Sequence, residues 1–404
     1  MQTALLPALR ATSAGQEAER ILRTCVHCGF CTATCPTYQL LGDELDGPRG
    51  RIYQIKQVLE GHAPSRITQL HLDRCLLCRS CETTCPSGVQ YGRLLEIGRE
   101  LVDAQVSRPW RDRLVRQLLL HFIPHPGRVA ALMRLANRLR FLLPNALARR
   151  IPRPQPAALP VLAGERTLVL LEGCVQAAFC PETNAAAGRV FGRLGIGLRA
   201  VPGCCGAAAY HLGDREGGLA TVRRNIDAWW PLLEGGAEGI LINASGCGAF
   251  VKTYGTLLRG DPHYEEKAQK IAALARDPGE VLQQADLRSL GKPGQGCTIA
   301  FQSPCSLQHG QQLSGLVESL LTRLGFQLTP VPDAHLCCGS GGTYALLQPK
   351  LADQLRRRKL QALSQGKPDW IATANIGCQH HLGEKAPVPV LHWLELLDRR
   401  LRQT

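Results

Sequence analysis

The 404-residue chain is 45% hydrophobic and 20% charged, with a mean hydropathy of −0.08, a composition that argues for two or three folded domains and against disorder. Lys and Arg total 47 against 33 Asp and Glu, a formal charge of +14. No apolar run reaches the ~18 residues of a membrane-spanning helix, and the N-terminus has no basic start leading into a long apolar stretch, so neither a transmembrane nor a secreted protein is expected.

The chain carries 18 cysteines. Without an export signal they point to metal binding or redox chemistry in preference to disulfides. They fall into three groups: Cys25 to Cys85, Cys174 to Cys247 and Cys297 to Cys378.

The first group holds one run twice. Cys25, Cys28, Cys31 and Cys35 precede Pro36; Cys75, Cys78, Cys81 and Cys85 precede Pro86. Both read C-x2-C-x2-C-x3-C-P, the two-cluster ferredoxin spacing, in which the fourth cysteine of each run serves the other cluster. Three thiolates two residues apart wrap one cubane, and the fourth has moved on by a helical turn. One [4Fe-4S] cluster is therefore expected on Cys25, Cys28, Cys31 and Cys85, the other on Cys75, Cys78, Cys81 and Cys35. Structural zinc is the rival, but its sites usually join two separate ligand pairs. Between the runs, Ile52, Ile55, Val58 and Leu59 have helical spacing, which predicts a helix over Gly50 to Glu60. Asp43, Glu44 and Asp46 before Gly47-Pro48 read as a solvated turn.

From Arg99 to Arg153 the charge is one-sided. Arg occupies positions 99, 108, 111, 113, 116, 128, 134, 138, 140, 149, 150 and 153, against Glu100, Asp103 and Asp112. Trp110, Leu114, Leu118, Phe122, Leu132, Leu135, Leu139 and Phe141 are interleaved, which predicts basic amphipathic helices broken at Pro124, Pro126 and Pro144. Such helices suit an anionic membrane or an acidic partner. The alternative is a helical pair packed on its own protein. Nucleic acid is not an expected partner, because the aromatics share the leucines' helical spacing.

The second and third groups repeat each other. Cys174, Cys204-Cys205-Gly206 and Cys247 are echoed by Cys305, Cys337-Cys338-Gly339 and Cys378, with 73 positions from first to last cysteine in each copy (247 − 174 and 378 − 305). Arg193-Leu194-Gly195 and Val201-Pro202 recur as Arg323-Leu324-Gly325 and Val331-Pro332, marking a duplication. Each copy alternates strands and helices: strands at 168–171, 198–201 and 240–242, then 298–301, 326–331 and 370–373. That pattern predicts a mainly parallel sheet, with each cysteine following a strand and the quartets gathering at the strands' carboxyl ends. Cys174, Cys204, Cys205 and Cys247 are thus one candidate metal site, and Cys305, Cys337, Cys338 and Cys378 a second. The glycines after each pair are expected to let backbone approach a large cofactor. Cys180 and Cys297 have no counterpart and read as buried free thiols.

The expected fold class is α/β: an N-terminal α-rich two-cluster ferredoxin module (1–107), a basic amphipathic connector (108–160), and duplicated Cys-Cys-Gly domains with mainly parallel sheets (161–290 and 291–404).

Two ferredoxin runs followed by two Cys-Cys-Gly domains resemble the iron–sulfur subunits of flavin-dependent dehydrogenases and heterodisulfide reductases. The strings CVHCGFCTATCPTYQLLGDELDGPRGRIY (from Cys25), NIDAWWPLLEGGAEGI (from Asn225), SGCGAFVKTYG (from Ser245) and LCCGSGGTYALL (from Leu336) look like those of the iron–sulfur subunits of bacterial glycolate oxidase. The resemblance implies a subunit of an oxidoreductase complex with no catalytic residues of its own for substrate oxidation. An FAD-binding subunit would oxidise glycolate to glyoxylate, and this chain would pass single electrons towards a membrane quinone. The expected location is cytoplasmic, peripheral on the inner face of the membrane. The iron–sulfur subunit of a lactate or glycerol-3-phosphate dehydrogenase remains open as an alternative, as does a heterodisulfide-reductase-like thiol–disulfide enzyme. Against the last, the C-x-x-C that ends such domains is absent: Phe250 and His381 stand three residues after Cys247 and Cys378. His381 and His309 are open to reading as ligands or as packed residues.

Overall fold

The computed structural model describes residues 1–142, 157, 164 and 166–403. Pro144, Arg149, Arg150 and Arg153 of the basic connector lie outside them. The chain forms two compact units. One comprises Met1–Arg116 with Asp333–Lys359, the other Gln117–Pro332 with Leu360–Thr404.

The first unit is helical. Helices Ser13–Thr24, Pro48–Leu59, Arg66–Asp73 and Tyr91–Gln105 surround a core that includes Ile21, Leu22, Ile55, Leu59, Leu94 and Leu95. The helix expected between the cysteine runs is there, with Pro48 in its first turn, where a missing N–H costs nothing. Ile52, Ile55, Val58 and Leu59 are all buried, each adding ~1.5–3 kcal/mol of apolar burial. Ser65 and Thr68 close a reciprocal capping box on the helix that leads into Cys75.

The second unit contains two parallel four-stranded sheets. Strands β1 (Arg166–Leu171), β2 (Ile196–Val201), β3 (Ile240–Leu241) and β4 (Ala275–Arg276) lie in the order β2-β1-β3-β4. Strands β5 (Thr298–Gln302), β6 (Gln327–Leu328), β7 (Trp370–Thr373) and β8 (Val390–His392) lie in the order β6-β5-β7-β8. The matching orders express the sequence duplication as topology. All pairings are parallel, with Leu168 opposite Leu198 and Val169 opposite Ile240 in one sheet, and Phe301 opposite Ala372 in the other. β1 is buried from Leu168 to Leu171, as a strand covered on both faces must be.

The two halves of this unit share a core. Phe191, Leu168 and Leu241 belong to one cluster with Trp393, Leu397 and Phe301. Hydrogen bonds tie them directly: Ser245 N–H donates to the Ala374 carbonyl (3.0 Å), and the His392 side-chain Nε2 lies 3.0 Å from the Asn243 carbonyl. Arg189 pairs with Asp398 at 2.9 Å.

The connector's helices are Trp110–Phe122 and Pro126–Arg138, separated at the expected proline break. The second turns Val129 and Met133 onto Ala178 and Phe179, so one of its faces is packed on its own protein. Trp110, Leu114, Leu118, Leu132, Leu135, Leu139 and Phe141 remain exposed.

Candidate metal centres

The two ferredoxin runs form near-identical loops. His27 and Gly29 in the first, and Leu77 and Arg79 in the second, adopt positive φ (54°, 87°, 54° and 60°). Three of these are not glycine, so the conformation carries a steric cost that the surrounding structure must offset. Its effect is to turn backbone N–H groups inward as an anion-binding nest. Leu77 N–H reaches Cys75 Sγ at 3.5 Å, and the N–H groups of His27 and Ser80 bond the sulfurs of Cys25 and Cys78.

The loops enclose two cavities. The first is lined by Cys25, Cys28, Cys31 and Cys85, together with Pro48, Pro86 and Tyr91. The second is lined by Cys35, Cys75, Cys78 and Cys81, with Thr37, Arg51 and Tyr91. Cys81 borders both. Each cavity thus joins three cysteines of one run to the fourth cysteine of the other, with Cys81 at the wall between them.

The residues fit iron–sulfur clusters on their own chemistry. Burial, then the neighbouring thiols, push Cys31 up to about 11 and raise Cys78 and Cys81 well above the ordinary thiol range. So many thiolates cannot crowd together unless a multivalent cation compensates them. His27 Nε2 and Ser80 Oγ are buried beside these cysteines with no hydrogen-bond partner in the protein, donors left for a bound group.

A charged layer supports the second cavity. Arg51 and Asp46, both fully buried, pair at 3.2 Å, and Asp46 also meets Arg74 at 2.7 Å and His71 at 3.1 Å. Arg51 donates to the His71 carbonyl (2.7 Å) and to Thr37 Oγ1 (3.1 Å), whose hydroxyl lies 3.3 Å from Cys35 Sγ. The solvated-turn reading of Asp43, Glu44 and Asp46 is therefore corrected at Asp46. Asp43 is exposed and caps a short 3-10 turn, whereas Asp46 is drawn inside by Arg51, Arg74 and His71. Arg99 likewise belongs to this unit and not to a docking surface: it donates to the carbonyls of Leu72 (2.7 Å) and Cys75 (2.9 Å). Arg108 pairs with Asp73 and Asp103, and Arg116 with Asp73 and Asp112. Tyr91 OH donates to Cys75 Sγ at 3.6 Å. Residue spacing cannot reveal these supporting groups, since each acts from a different element.

In the second unit, Cys174 follows β1, Cys204 and Cys205 follow β2, and Cys247 lies in the helix Ser245–Val251 after β3. Their sulfurs form a chain of contacts, Cys174 to Cys204 to Cys205 to Cys247. Cys204 accepts from Cys174, Cys205 and the Gly206 N–H (3.4 Å), which pulls it far below the ordinary thiol range, while its donors Cys174 and Cys205 are raised. The first quartet converges as the strand-end argument expects. Asn225 and Tyr254 fix its backbone: Asn225 Nδ2 donates to the Cys204 carbonyl (2.8 Å) and Tyr254 OH to the Cys205 carbonyl (2.6 Å). Phe250, at the absent fifth-thiol position, sits in an aromatic cluster with Tyr210 and Tyr254.

In the second repeat, Cys305 follows β5 and Cys378 lies in the helix Ile376–Gly383 after β7, where Asn375 Nδ2 reaches its sulfur at 3.6 Å. Cys337 and Cys338 belong to the first compact unit. The Gly339 N–H reaches Cys337 Sγ at 3.4 Å, repeating the Gly206 bond. Gly206 and Gly339 have φ of +96° and +92°, and their close approach is to protein, not to an open cofactor space. A Cβ on Gly339 would lie 2.7 Å from the Ala352 carbonyl oxygen, and one on Gly206 3.1 Å from that of Gly218. Cys180 is half-buried and pushed up to about 12 by burial; Cys297 lies in the shared core. His309 is buried and His381 half-buried.

Comparison with known proteins agrees with this layout. Residues 21–89 match the 4Fe-4S dicluster domain family, and residues 168–252 and 299–383 match the cysteine-rich domain family. The chain is 53% identical over 407 aligned residues, covering all of both chains, to the glycolate oxidase iron-sulfur subunit of Escherichia coli. It is 29% identical over 393 residues to the probable glycolate oxidase iron-sulfur subunit of Bacillus subtilis, covering 88% of this chain and 87% of that one. Lactate utilization protein A of Geobacillus thermodenitrificans is 29% identical over 49% of this chain and 83% of its own length.

Proposed function

The chain belongs to the family of glycolate oxidase iron–sulfur subunits, and on that premise we propose that it carries electrons from a flavin-bearing partner that oxidises glycolate to glyoxylate towards a quinone. Membership in an oxidoreductase complex and an electron-transfer role rest on the family itself. The flavin partner and the quinone belong to the proposal.

One observation carries the ligand assignment: the fourth cysteine of each run lines the cavity of the other run's first three, with Cys81 shared between the two linings. Cys25, Cys28, Cys31 and Cys85 would hold one [4Fe-4S] cluster, and Cys35, Cys75, Cys78 and Cys81 the second. Bound there, the clusters supply one-electron transfer at potentials set by their surroundings. The chain's own residues shape those surroundings. Backbone N–H groups bond the sulfurs, Arg51 places a fixed positive charge beside the second cavity, and Tyr91 donates to Cys75.

The convergence of Cys174, Cys204, Cys205 and Cys247 supports a further thiolate-held site. Its four sulfurs and the Cys204 thiolate suit an iron–sulfur cluster, and the aromatic filling at Phe250 leaves no place for a fifth thiolate. Cys305, Cys337, Cys338 and Cys378 are proposed as the equivalent set of the second repeat, on the duplication alone.

Among the described residues no helix is long and apolar enough to cross a membrane. The helix Trp110–Phe122 exposes Trp110, Leu114 and Leu118 beside Arg111 and Arg113, and Pro126–Arg138 exposes Leu132 and Leu135 beside Arg134 and Arg138. That mixture suits peripheral contact with the anionic inner face of the cell membrane.

Anaerobic co-purification tests the reading. We expect acid-labile sulfide matching at least two cubanes and a flavoprotein that stays with the chain. Zinc in place of iron and sulfide would overturn it.

A further inference from the structure

The two ferredoxin loops are alike in backbone but unlike in cover. In the first, Val26 and Phe30 are 68% and 61% exposed. Their counterparts fifty residues on, Leu76 and Ser80, are 7% and 1% exposed. Part of the cover comes from the Cys-Cys-Gly loop of the second repeat, which belongs to the same compact unit. A Cβ on Gly341 would touch Leu76 Cδ2 at 3.4 Å and Tyr344 Cβ at 2.9 Å. Gly341 also closes a turn by accepting from the Tyr344 N–H at 3.1 Å. Cys337, at the start of the loop, lies in the electrostatic field of Cys78.

The turn sends Tyr344 inward. The side chain is 6% exposed, and its hydroxyl has no hydrogen-bond partner within the protein. Burial first, and then the influence of Cys75, raise its phenol above the ordinary range, and Gly341, which packs against its Cβ, also meets Leu76 of the second cavity's lining. A buried phenol left unpaired is destabilising, so a tyrosine held there implies an acceptor that the polypeptide does not itself supply. On the opposite count, Tyr91 already donates to Cys75 Sγ at 3.6 Å. Of the two buried phenols on this side of the unit, Tyr91 is satisfied by a cysteine sulfur and Tyr344 has no partner in the protein.

We propose that Tyr344 donates a hydrogen bond to the sulfur shell of the cluster held by Cys35, Cys75, Cys78 and Cys81, and that this bond raises the potential of that cluster relative to its twin. The inference rests on the ligand reading given under the proposed function. Reduction adds negative charge to the cluster. A donor to its sulfurs therefore favours the reduced form, and its removal makes the potential more negative. Tyr344 is a positioning and tuning residue, contributed by a repeat otherwise distant in sequence.

The experiment is an anaerobic redox titration of the purified complex followed by electron paramagnetic resonance. The signal removed by Cys78→Ala identifies the second cluster. If that variant removes neither signal or both, the ligand reading fails and not the Tyr344 proposal. Tyr344→Phe keeps the ring and removes only the O–H. We expect the second cluster's potential to fall by roughly tenfold in the one-electron equilibrium, about 59 mV, with the first cluster unmoved. Equal potentials in wild type and Tyr344→Phe would overturn the proposal. Should the Phe variant lose its second cluster, 3,5-difluorotyrosine placed at position 344 alone supplies a stronger donor. Its expected effect is a rise in the same potential, and no change would again overturn the proposal.

Discussion

Arg51 and Asp46 form an ion pair at 3.2 Å that is closed to solvent on both sides, with Arg51 lining the cavity of Cys35, Cys75, Cys78 and Cys81. The pair is not isolated. Arg74 and His71 reach the same carboxylate, and the Thr37 hydroxyl donates to the Asp46 carbonyl at 2.8 Å. Removing one partner strands the other's charge inside the protein.

Asp46→Asn keeps the shape and removes the charge, leaving Arg51 uncompensated. Breaking a buried pair in this way costs about 3–5 kcal/mol. Urea unfolding of the anaerobic protein should show the loss as a lower midpoint. A shift no larger than that of a surface substitution such as Asp43→Asn would contradict the buried-pair account.

Cross-ligation predicts crossed damage. Cys85→Ser should disturb the cluster of Cys25, Cys28 and Cys31, and Cys35→Ser that of Cys75, Cys78 and Cys81. The resonance signals of single and paired variants separate the two cases. If each variant harmed only the cluster of its own run, the cavity linings would have been misread as ligand sets.

Unequal cover predicts unequal lability. Cys28 is exposed and its loop neighbours Val26 and Phe30 stand in solvent, whereas Leu76 and Ser80 are closed off. Titration with ferricyanide should therefore destroy the first cluster before the second. Simultaneous loss, or loss in the reverse order, would count against it.

His392 gives a pH prediction. Complete burial holds its pKa down to about 4, against an ordinary value near 6.5, in spite of its bonds to the Asn243 and Ala374 carbonyls. The unfolded chain therefore binds a proton that the folded chain refuses. The stability His392 contributes is complete above pH 6.5 and is lost as pH falls towards 4, to a limit of about 3 kcal/mol. Asp277, raised to about 7 by burial, acts in the opposite sense over much of that window. The difference between wild type and His392→Gln isolates the histidine: the wild type's advantage should shrink between pH 7 and pH 5. A constant gap would contradict it.

The membrane reading is tested at Arg134 and Arg138. Reversing both to Glu should reduce sedimentation with anionic vesicles, and added salt should weaken the wild-type interaction, because screening shortens the reach of exposed charge. Unchanged binding in both tests would return the two helices to a purely structural role.

Much of this was legible in the sequence because the chemistry is periodic. The two C-x2-C-x2-C-x3-C-P runs, the equal 73-position spans and the strand before each cysteine of the first quartet carry the dicluster loops, the duplication and the meeting of Cys174, Cys204, Cys205 and Cys247. The short β4 and β8 were not legible, since two or three residues at a sheet edge have no period to detect. Asp46 looked like a turn residue because its partners Arg51, Arg74 and His71 are spread over two other elements. Arg99 and Arg108 looked like docking charges because the acceptors that draw them onto the first unit, Leu72, Asp73 and Cys75, lie 24 to 35 positions away in the chain. The cover on the second cavity was hidden most completely, because Tyr344 arrives there from more than 250 positions downstream.

Reduction by glycolate is the most direct measure of the central claim. The anaerobic complex, purified with its flavin-bearing partner, should be mixed with glycolate in the absence of any acceptor and frozen for electron paramagnetic resonance. The account predicts reduced-cluster signals from this subunit, lost in part in Cys78→Ala and restored to the oxidised state on adding quinone. A flavin reduced by glycolate while both clusters of the intact subunit stay oxidised would contradict it.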